Sequence, residues 1–434
     1  MKHLFFGGVH PKYNKEMSLN VESHKFVTPD QVIIPMVQHI GVACQPLVEV
    51  GQRVLLGQKI GDGEGLCVPV HSSVSGTVIA IEDRPHISGR MVLSVVIQND
   101  FQGEAATDEP ADWTALEEDE ILHRIREAGV VGMGGAAFPG SVKAVAAMGS
   151  VDTLIANACE CEPYITADDC LLRTAAENVL IGMEILRKVL HPQRAVLAVE
   201  DNKQVAIELI RQQLPQYPNI ELKVLPTRYP QGAEKQLIQA ITGREVLSGK
   251  LPVSVGCAVF NVSTYNAIAR AVIEGKALTQ RFITVTGEMI QEPQNFIVPI
   301  GTPVRKLIQA AGGLHIDTDR IIAGGPMMGT AIADLDAPVV KATNSILCLP
   351  KDKNGAAENP VCLRCGKCVA ACPMRLQPLF LYRYHDHPRH LKRLHLMDCM
   401  ECGCCAYTCP GKLPLVESFR KSKAFLRAKE AEEK

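Results

Sequence analysis

One stretch near the C-terminus reads Cys362-Leu-Arg-Cys365-Gly-Lys-Cys368-Val-Ala-Ala-Cys372-Pro373, and a second reads Cys399-Met-Glu-Cys402-Gly-Cys-Cys405-Ala-Tyr-Thr-Cys409-Pro410. Both follow the spacing C-x2-C-x2-C-x3-C-P, which is typical of small helical domains that hold two [4Fe-4S] clusters. The first three thiolates of a run can bind one cubane from a tight turn, while the fourth reaches the other cubane. The two runs therefore predict an electron-transfer domain at this end of the chain.

The spacing also assigns each cysteine to a cluster. We predict that one [4Fe-4S] cluster is bound by Cys362, Cys365, Cys368 and Cys409, and the other by Cys399, Cys402, Cys405 and Cys372. A pair of structural zinc sites is the alternative, but zinc prefers two C-x2-C knuckles or mixtures of cysteine and histidine. Cys404 lies off the pattern and is interpreted as a packing residue.

The composition limits the class of protein. The chain has 434 residues, a formal net charge of -2 and 47% hydrophobic residues. The near-neutral charge argues against a nucleic-acid partner, and the apolar content excludes a disordered chain. No apolar run reaches the roughly 18 residues that a membrane span requires, and the N-terminus does not resemble a signal peptide. The 16 cysteines therefore indicate metal or redox chemistry in a reducing cytoplasm.

Periodicity predicts an α/β multidomain protein. Residues 1–101 contain short alternating strands and resemble the barrel-sandwich hybrid of biotinyl and lipoyl domains. The hairpin at residues 61–67 lacks the lysine that carries the attached group in those domains, so we expect a structural or docking module. A polar, acidic linker is predicted over residues 102–116.

Residues 117–278 alternate between strands and helices, which favours a Rossmann-like domain with a mostly parallel sheet. Strands are predicted at residues 153–158, 195–200 and 220–225, and helices at residues 170–189 and 204–214. Residues 279–350 return to strand-like patterning around a helix at residues 304–311, and they resemble the β-grasp module called SLBB. After the polar stretch 351–359, the two cysteine runs complete a domain over residues 351–434 that resembles bacterial two-cluster ferredoxins.

A glycine-rich loop over residues 129–140 is the second chemical feature. Gly132, Gly134 and Gly135 let the backbone approach a ligand and offer amide N–H groups to a phosphate, next to a helix predicted to begin near Pro139. The loop follows a helix and lacks the G-x-G-x-x-G fingerprint in a strand-loop-helix context, so the ordinary dinucleotide-binding interpretation fails. A structural turn remains the alternative.

Polar residues follow the strand predicted at residues 153–158. Asn157, Glu160 and Glu162 lie at its carboxyl end, where parallel α/β sheets bind ligands. Carboxylates there can accept hydrogen bonds from ribose hydroxyls. A solvated acidic loop is the alternative, and a metal pair formed by Cys159 and Cys161 fits less well because no matching ligands lie nearby.

The loop, the acidic strand end and the cysteine runs occur in the order found in the flavin-binding subunit of respiratory complex I, which this chain resembles. There the loop reads approximately G-R-G-G-A-G-F-P and the strand end reads N-A-D-E-S-E-P. The opening FFGGVHP at residues 5–11 and the barrel-sandwich segment resemble the RnfC subunit of the Rnf complex more closely. That complex couples electron transfer between ferredoxin and NAD to ion pumping, and the resemblance covers essentially the whole chain.

The resemblance implies non-covalent FMN and NAD(H) as ligands, with Glu162 as the catalytic residue. The implied binding residues are Gly132, Gly134, Gly135, Ala136, Phe138, Lys143, Asn157, Glu160, Glu162, Tyr229, Gly232, Glu234, Asn261, Ser263 and Thr264. Lys143 matches a lysine near the flavin phosphate, and Phe138 an aromatic residue that stacks on adenine. The chain departs from the complex I pattern at Met133, Cys159 and Ala233, which stand where arginine, aspartate and glutamate are found.

The resemblance further implies a flavo-iron-sulfur subunit of an ion-translocating ferredoxin:NAD+ oxidoreductase. Its expected partners are the other Rnf subunits, including a ferredoxin-like cluster subunit, at the cytoplasmic side of the inner membrane. A soluble cobalamin reductase of the microcompartment type and a non-enzymatic electron wire are the alternatives. The carboxylates of Glu160, Glu162 and Glu234 are expected to surround the nucleotide and to favour NADH over NADPH.

Overall fold

The computed structural model describes residues 5–19, 25–106, 109–351 and 360–432. We call residues 5–19 and 25–26 the N-terminal strap. The strap contains a short helix, α1 (Glu16–Leu19), and a short strand, β1 (Lys25–Phe26).

Two small antiparallel sheets follow the strap. Their strands are β2 (Gln31–Pro35), β3 (Gln45–Pro46), β4 (Arg53–Val54), β5 (Lys59–Asp62), β6 (Val70–His71), β7 (Gly76–Pro85) and β8 (Met91–Asn99). The sheet orders are β2-β8-β7-β4 and β3-β5-β6. Side chains from both sheets, such as Val32, Ile60, Val78 and Ile97, form one apolar core. This is the predicted barrel-sandwich arrangement, in which each sheet buries one face against the other.

The next part of the chain is a parallel α/β layer. Its elements are α2 (Glu118–Glu127), α3 (Gly140–Ala147), β9 (Thr153–Ala158), α4 (Ala167–Leu190), β10 (Arg194–Glu200), α5 (Gln204–Gln213), β11 (Ile220–Leu225), α6 (Glu234–Thr242), β12 (Cys257–Asn261) and α7 (Val262–Glu274), with 3-10 turns at Leu214–Gln216 and Pro252–Val255. The strand order is β11-β10-β9-β12, and all neighbours are parallel. The predicted strands and the mostly parallel sheet are therefore confirmed.

Successive apolar side chains of β9 point to opposite faces of the sheet, and this explains why helices cover both faces. Leu154 and Ala156 belong to the core that contains residues of α4 and α7, whereas Ile155 belongs to the core that contains Leu237 and Ile238 of α6. Successive strand side chains point to opposite faces, so a strand that is apolar throughout must be buried twice. The helix predicted at residues 170–189 begins earlier, at Ala167, and its acidic first turn suits the helix dipole.

The third part contains β13 (Gln280–Thr286), β14 (Gln294–Pro299), α8 (Val304–Ala310), β15 (Thr318–Ala323), β16 (Thr330–Ala331) and β17 (Ser345–Pro350). They form a mixed sheet of order β1-β14-β13-β17-β15-β16, in which β1 of the N-terminal strap is an edge strand. Helix α8 contributes Val304, Leu307 and Ile308 to the core under this sheet. The single short helix agrees with the sequence-based expectation for an SLBB module. The polar stretch 351–359 lies, apart from Lys351, outside the described residues.

The C-terminal part is helical. It contains α9 (Lys367–Ala371), α10 (Pro378–Arg383), α11 (Pro388–Arg393), a 3-10 turn at Leu396–Asp398, α12 (Cys404–Tyr407) and α13 (Leu415–Glu432). Leu381, Leu391, Leu396 and Phe419 form its apolar centre. Among the helices in the described ranges, none combines the length and apolar character that crossing a bilayer requires.

The N-terminal strap joins these parts. The backbone N–H of Gly8 donates to the carbonyl of Ala371 at 2.9 Å, and the backbones of Val9 and Tyr229 exchange hydrogen bonds of 2.8 and 3.0 Å. A β-carbon at Gly7 would lie 2.7 Å from the backbone of Cys372, so the close approach requires glycine there. The strap thus contacts the α/β layer and the helical domain, while β1 joins the SLBB sheet.

Candidate functional site

The glycine loop leaves α2 and returns to α3 as a closed turn. The N–H of Gly132 donates to the carbonyl of Phe138 at 2.7 Å, and the N–H of Ala137 donates to the carbonyl of Gly132 at 3.1 Å. Gly135 adopts a φ of +117°, which favours glycine. Within the described part of the chain, the N–H groups of Gly134, Gly135 and Ala136 have no hydrogen-bond acceptor, and all three residues are exposed. These free donors fit a phosphate group.

The start of α7 holds this loop in place. Thr264 Oγ1 accepts a hydrogen bond from the N–H of Met133 at 2.9 Å. Asn261 caps the helix by accepting from the N–H of Ser263 at 2.8 Å. A β-carbon at Gly134 would come within 3.3 Å of the Asn261 side chain. The structure therefore brings Asn261, Ser263 and Thr264 next to the glycine loop.

A buried carboxylate, Asp168, joins α4 to the same helix start. Asn261 Nδ2 and Ser263 Oγ donate to its two oxygens at 2.7 and 2.8 Å. Burial and the negative charge of Glu160 raise the pKa of Asp168 to about 6. Asp168 follows the acidic end of β9 in the sequence, but it is not among the binding residues predicted from the sequence. No local pattern could assign its position, because Asn261 and Ser263 lie 93 and 95 positions away.

Lys143 of α3 and Glu234 of α6 form an ion pair. Lys143 Nζ donates to Glu234 Oε1 at 2.7 Å, and the two side chains are 32% and 40% exposed. Lys143 Nζ also lies 5.2 Å from the centre of the Phe260 ring. Phe138 is half-buried in the turn that follows the exposed glycines. A partly exposed cation near the start of the helix that follows the free backbone donors suits an anionic ligand.

The end of β9 is fixed to the turn before α6. Asn157 Nδ2 donates to the carbonyl of Gly232 at 2.8 Å, and Asn157 Oδ1 accepts from the N–H of Cys159 at 3.0 Å. A β-carbon at Gly232 would lie 2.0 Å from the carbonyl oxygen of Cys159, so this contact requires glycine. Asn157 and Gly232, both predicted site residues, therefore contact each other where β9 ends.

Glu160 is turned into the protein, which differs from the sequence-based expectation of a carboxylate around the nucleotide. Its side chain accepts from the N–H of Asp168 at 2.8 Å and pairs with Lys203 at 3.3 Å, where both side chains are at most 5% exposed. A second buried cation, Lys15 of the N-terminal strap, donates to the carbonyls of Glu160, Glu162 and Ile165. These lysines stabilise the turn after β9, because its carbonyls and carboxylate would otherwise be buried unpaired.

Glu162 is also directed inward. Its carboxylate accepts hydrogen bonds from the N–H groups of Met327 and Met328 at 3.2 and 2.9 Å, and Tyr229 Oη lies 3.5 Å away. Burial raises the pKa of Glu162 to about 7, although these donors oppose the shift. A β-carbon at Gly325 would lie 2.2 Å from Glu162 Oε2. Glu162 therefore lies where the α/β layer meets the SLBB turn.

Tyr229 contacts both Glu162 and the cysteine-rich domain. Its side chain is 1% exposed, and its hydroxyl donates to the carbonyl of Cys402 at 2.8 Å. Burial, followed by the charge of Glu162, raises the pKa of its phenol above the usual value. The resemblance implies a flavin contact for Tyr229, whereas in the structure its hydroxyl donates to the backbone of the second cysteine run.

The structure brings the eight cysteines together as two groups of four. One cavity is lined by Cys372, Cys399, Cys402 and Cys405, and another by Cys362, Cys365, Cys368 and Cys409. We call these the inner and the outer set, because the inner set is mostly buried whereas Cys362 and Cys365 are exposed. The fourth cysteine of each run lines the cavity that holds the first three cysteines of the other run. Four thiols around one cavity fit a [4Fe-4S] cluster.

Cys404, which the spacing excludes from both sets, is fully buried and also lines the wall of the inner cavity. It belongs to an apolar cluster with Val9, Cys161, Tyr229 and Ala371. Cys404 thus packs at the contact between the strap, the α/β layer and the helical domain, in agreement with its interpretation as a packing residue.

Comparisons with known families agree with this architecture. Residues 3–102 match the RnfC barrel sandwich hybrid domain, and residues 125–270 match the Nuo51 FMN-binding domain. Residues 282–331 match the SLBB domain, and residues 361–412 match a 4Fe-4S dicluster domain. Fold and cysteine geometry thus define a flavin and iron–sulfur electron-transfer protein, with FMN and two [4Fe-4S] clusters as cofactors.

Curated relatives identify the family. The chain is 44% identical over 392 residues to the C subunit of the Na+-translocating ferredoxin:NAD+ oxidoreductase complex of Acetobacterium woodii, covering 88% of both proteins. It is 42% identical over 431 residues to the C subunit of the ion-translocating oxidoreductase complex of Pectobacterium carotovorum, covering 98% of this chain but 58% of that longer protein. The chain belongs to the RnfC family of ion-translocating oxidoreductase subunits.

Among solved structures, an air-oxidised NAD+-reducing [NiFe]-hydrogenase is similar in fold. The TM-score is 0.50 at 17% identity, with 74% of this chain and 67% of that chain covered. At this identity the likeness concerns the fold alone.

Proposed function

We propose that this chain is the NAD(H)-interacting subunit of a membrane-bound, ion-translocating ferredoxin:NAD+ oxidoreductase. The relative from Acetobacterium woodii carries that activity in its name and matches over 88% of both chains. The observation that supports the proposal most directly is the pair of four-cysteine cavities beside an α/β layer with a free glycine loop. The domain limits 101, 116, 278 and 350, predicted from the sequence, remain our proposal for the division of the chain.

For the flavin, we assign the phosphate to the unpaired N–H groups of Gly134, Gly135 and Ala136 and to Lys143. Glu234 pairs with the Lys143 ammonium at 2.7 Å, and Lys143 lies near the start of α3, the helix that follows the loop. When bound, FMN can exchange hydride with NAD(H) and single electrons with iron–sulfur clusters. Two hydrogen bonds between different elements support this region: Asn157 Nδ2 donates to the carbonyl of Gly232, and Asn261 Nδ2 donates to Asp168.

For the clusters, the placement of the cysteine sets supports an order. The inner set lies beside Tyr229 and the N-terminal strap, so it adjoins the α/β layer. The outer set has exposed cysteines, so it is the set that a partner protein could approach. We therefore infer that electrons pass between the flavin region and a partner through the inner set first and the outer set second.

Glu162 lies between these regions and can hold or release a proton near neutral pH. Its carboxyl has a pKa of about 7, because burial disfavours the charged form while two N–H groups stabilise it. We propose that Glu162 takes up and releases a proton at this junction. We also propose that it does not contact ribose, because the N–H groups of Met327 and Met328 already donate to its two oxygens.

The expected partners are the other subunits of such a complex, and we propose a ferredoxin-like cluster subunit among them. We also propose a peripheral position at the cytoplasmic side of the inner membrane. The microcompartment cobalamin reductase is less well supported, because residues 3–102 match the barrel-sandwich domain of the Rnf family. A non-enzymatic electron wire would hold the clusters but bind no flavin.

Anaerobic purification followed by titration with NADH tests the proposal. We expect NADH to bleach the flavin absorbance first and the broad iron–sulfur absorbance second. Iron analysis of the same protein should give about eight irons per chain. A protein that holds the iron but no flavin would support the electron wire. A protein with flavin that NADH cannot reduce would contradict the NAD(H) assignment.

A further inference from the structure

A compact group of soft metal ligands lies in the barrel-sandwich domain, far in sequence from the cysteine runs. His39, Cys44 and Cys67 are 7%, 1% and 3% exposed. Their ligand atoms all lie within 4.8 Å of one another. The two Sγ atoms are 3.4 Å apart, and His39 Nε2 lies 3.9 Å from Cys44 Sγ and 3.6 Å from Cys67 Sγ. We propose that these residues bind a structural Zn2+ ion.

The distances agree with tetrahedral coordination. Zinc with bonds of about 2.3 Å to sulfur and about 2.0 Å to nitrogen places two sulfurs about 3.8 Å apart and each sulfur about 3.5 Å from the nitrogen. The carbonyl oxygen of Val68 supplies a fourth vertex, at 3.1 Å from His39 Nε2, 3.4 Å from Cys44 Sγ and 3.9 Å from Cys67 Sγ. All six edges of this tetrahedron therefore lie near the lengths that zinc requires.

Without a metal, the Val68 carbonyl accepts from the thiols of Cys44 and Cys67 over the long distances of 3.4 and 3.9 Å. His39 Nε2 lies 3.1 Å from the Val68 carbonyl and 3.3 Å from the Val68 N–H. A protonated Nε2 would oppose the N–H, and an unprotonated Nε2 would oppose the carbonyl. With a cation between Nε2, the carbonyl and the sulfurs, the single lone pair of Nε2 binds the metal and no longer accepts from the Val68 N–H. Nδ1 then carries the proton toward the carbonyl of Ile40 at 3.3 Å.

The charge balance is compatible with the neighbouring cation, Lys341. Two thiolates neutralise Zn2+, so the metal site adds no net charge beside the ammonium group. Lys341 Nζ donates to the carbonyls of Pro69 and Gly129 at 2.9 and 2.6 Å. A disulfide between Cys44 and Cys67 is the alternative to a metal site. To form it, the two sulfurs would have to move from 3.4 Å apart to about 2.0 Å.

The position of the site gives it a structural role. The N–H of Ile40, which follows His39, donates to the carbonyl of Ala137 in the glycine loop at 3.1 Å. Lys341, next to the two sulfurs, holds the carbonyl of Gly129 where that loop begins. A metal ion that fixes His39 and Val68 therefore also fixes the back of the loop. The ion's presence does not depend on the function proposed for the loop.

Metal analysis of the anaerobically purified full chain, grown with added zinc, tests the proposal. We expect about one zinc per chain, reduced at least tenfold in Cys44→Ala and Cys67→Ala. Cys348→Ala removes an equally buried thiol from the SLBB core and should leave the zinc content unchanged. Iron content should stay the same in all four proteins, which would exclude general unfolding. Equal zinc in the unmodified protein and Cys44→Ala would overturn the proposal.

X-ray absorption at the zinc edge locates the ion independently of the variants. Two sulfurs at about 2.3 Å and two nitrogen or oxygen ligands at about 2.0 Å are expected. Four sulfur ligands would place the zinc in the cysteine runs and contradict the site. A peptide that joins Cys44 to Cys67 by a disulfide, found by mass spectrometry under native anaerobic conditions, would also contradict it.

Discussion

Replacing Glu162 by glutamine is expected to remove part of the pH dependence of stability. In the folded protein burial raises the pKa of Glu162 from 4.5 to about 7. The folded state thus binds the proton more tightly than the unfolded chain. The resulting stabilisation is present at low pH and is lost as the pH rises through this interval. Between pH 5.5 and pH 8 the loss is about 2 kcal/mol, at about 1.4 kcal/mol for each unit of pKa shift. Glutamine imitates the protonated carboxyl and should lack this loss.

Melting temperatures measured anaerobically at one scan rate provide the assay. For a domain of roughly 150–250 residues, 2 kcal/mol corresponds to about 4–8 °C. The unmodified protein should therefore lose about 4–8 °C more than Glu162→Gln between the two pH values. Other buried acids, such as Asp168, contribute equally to both proteins and cancel in the comparison. Glu177→Gln, which changes an exposed carboxylate on α4, should behave like the unmodified protein. If Glu162→Gln loses as much as the unmodified protein, the inference from burial is refuted.

Three further predictions concern the cofactors. Cys372→Ser should reduce iron from about eight to about four per chain and damage the cluster of the inner set, while Cys409→Ser should damage the cluster of the outer set. Electron paramagnetic resonance distinguishes the two clusters. Loss of the same signal in both variants would contradict the crossed assignment. Acid precipitation should release FMN into the supernatant, and colour retained in the pellet would contradict non-covalent binding. Of the three carboxylates expected around the nucleotide, Glu160 and Glu162 are turned inward, while Glu234 pairs with Lys143 but stays 40% exposed. Glu234 is therefore the one of the three that can still repel the extra phosphate of NADPH, so stopped-flow flavin reduction should favour NADH by about fivefold, equivalent to about 1 kcal/mol. Glu234→Gln should narrow this difference, and equal rates in the unmodified protein would contradict the prediction.

Features that depend on local spacing could be predicted from the sequence. The two cysteine runs fix their turns and helices within about a dozen residues each, so the two four-cysteine groups followed from the pattern. The parallel sheet likewise followed from short apolar strands that alternate with helices. The glycine loop was recognised because its conformation depends on residues next to one another, such as Gly134 and Gly135.

Features that depend on distant partners were missed or misplaced. Glu160 and Glu162 were expected to face a nucleotide, but the sequence could not show that Lys203 and the backbone of Met327 and Met328 would take their oxygens. Lys15 reaches carbonyls 145 to 150 positions away. A charged residue in an N-terminal segment gives no sign of such a contact. Burial of a polar group is decided by the tertiary structure, and so these orientations required coordinates.

The N-terminal strap has a consequence for how the protein is made. Gly8 bonds to Ala371, and its neighbour Val9 bonds to Tyr229. At a synthesis rate of about 5–20 residues per second, the ribosome completes the distant partner of Gly8 roughly 20–70 s after Gly8 itself. The strap, which emerges well before its partners, is thus among the last segments to reach its final position. During that interval its apolar residues, including Phe5, are exposed, so rapid translation of the later domains or a chaperone should protect the nascent chain from aggregation.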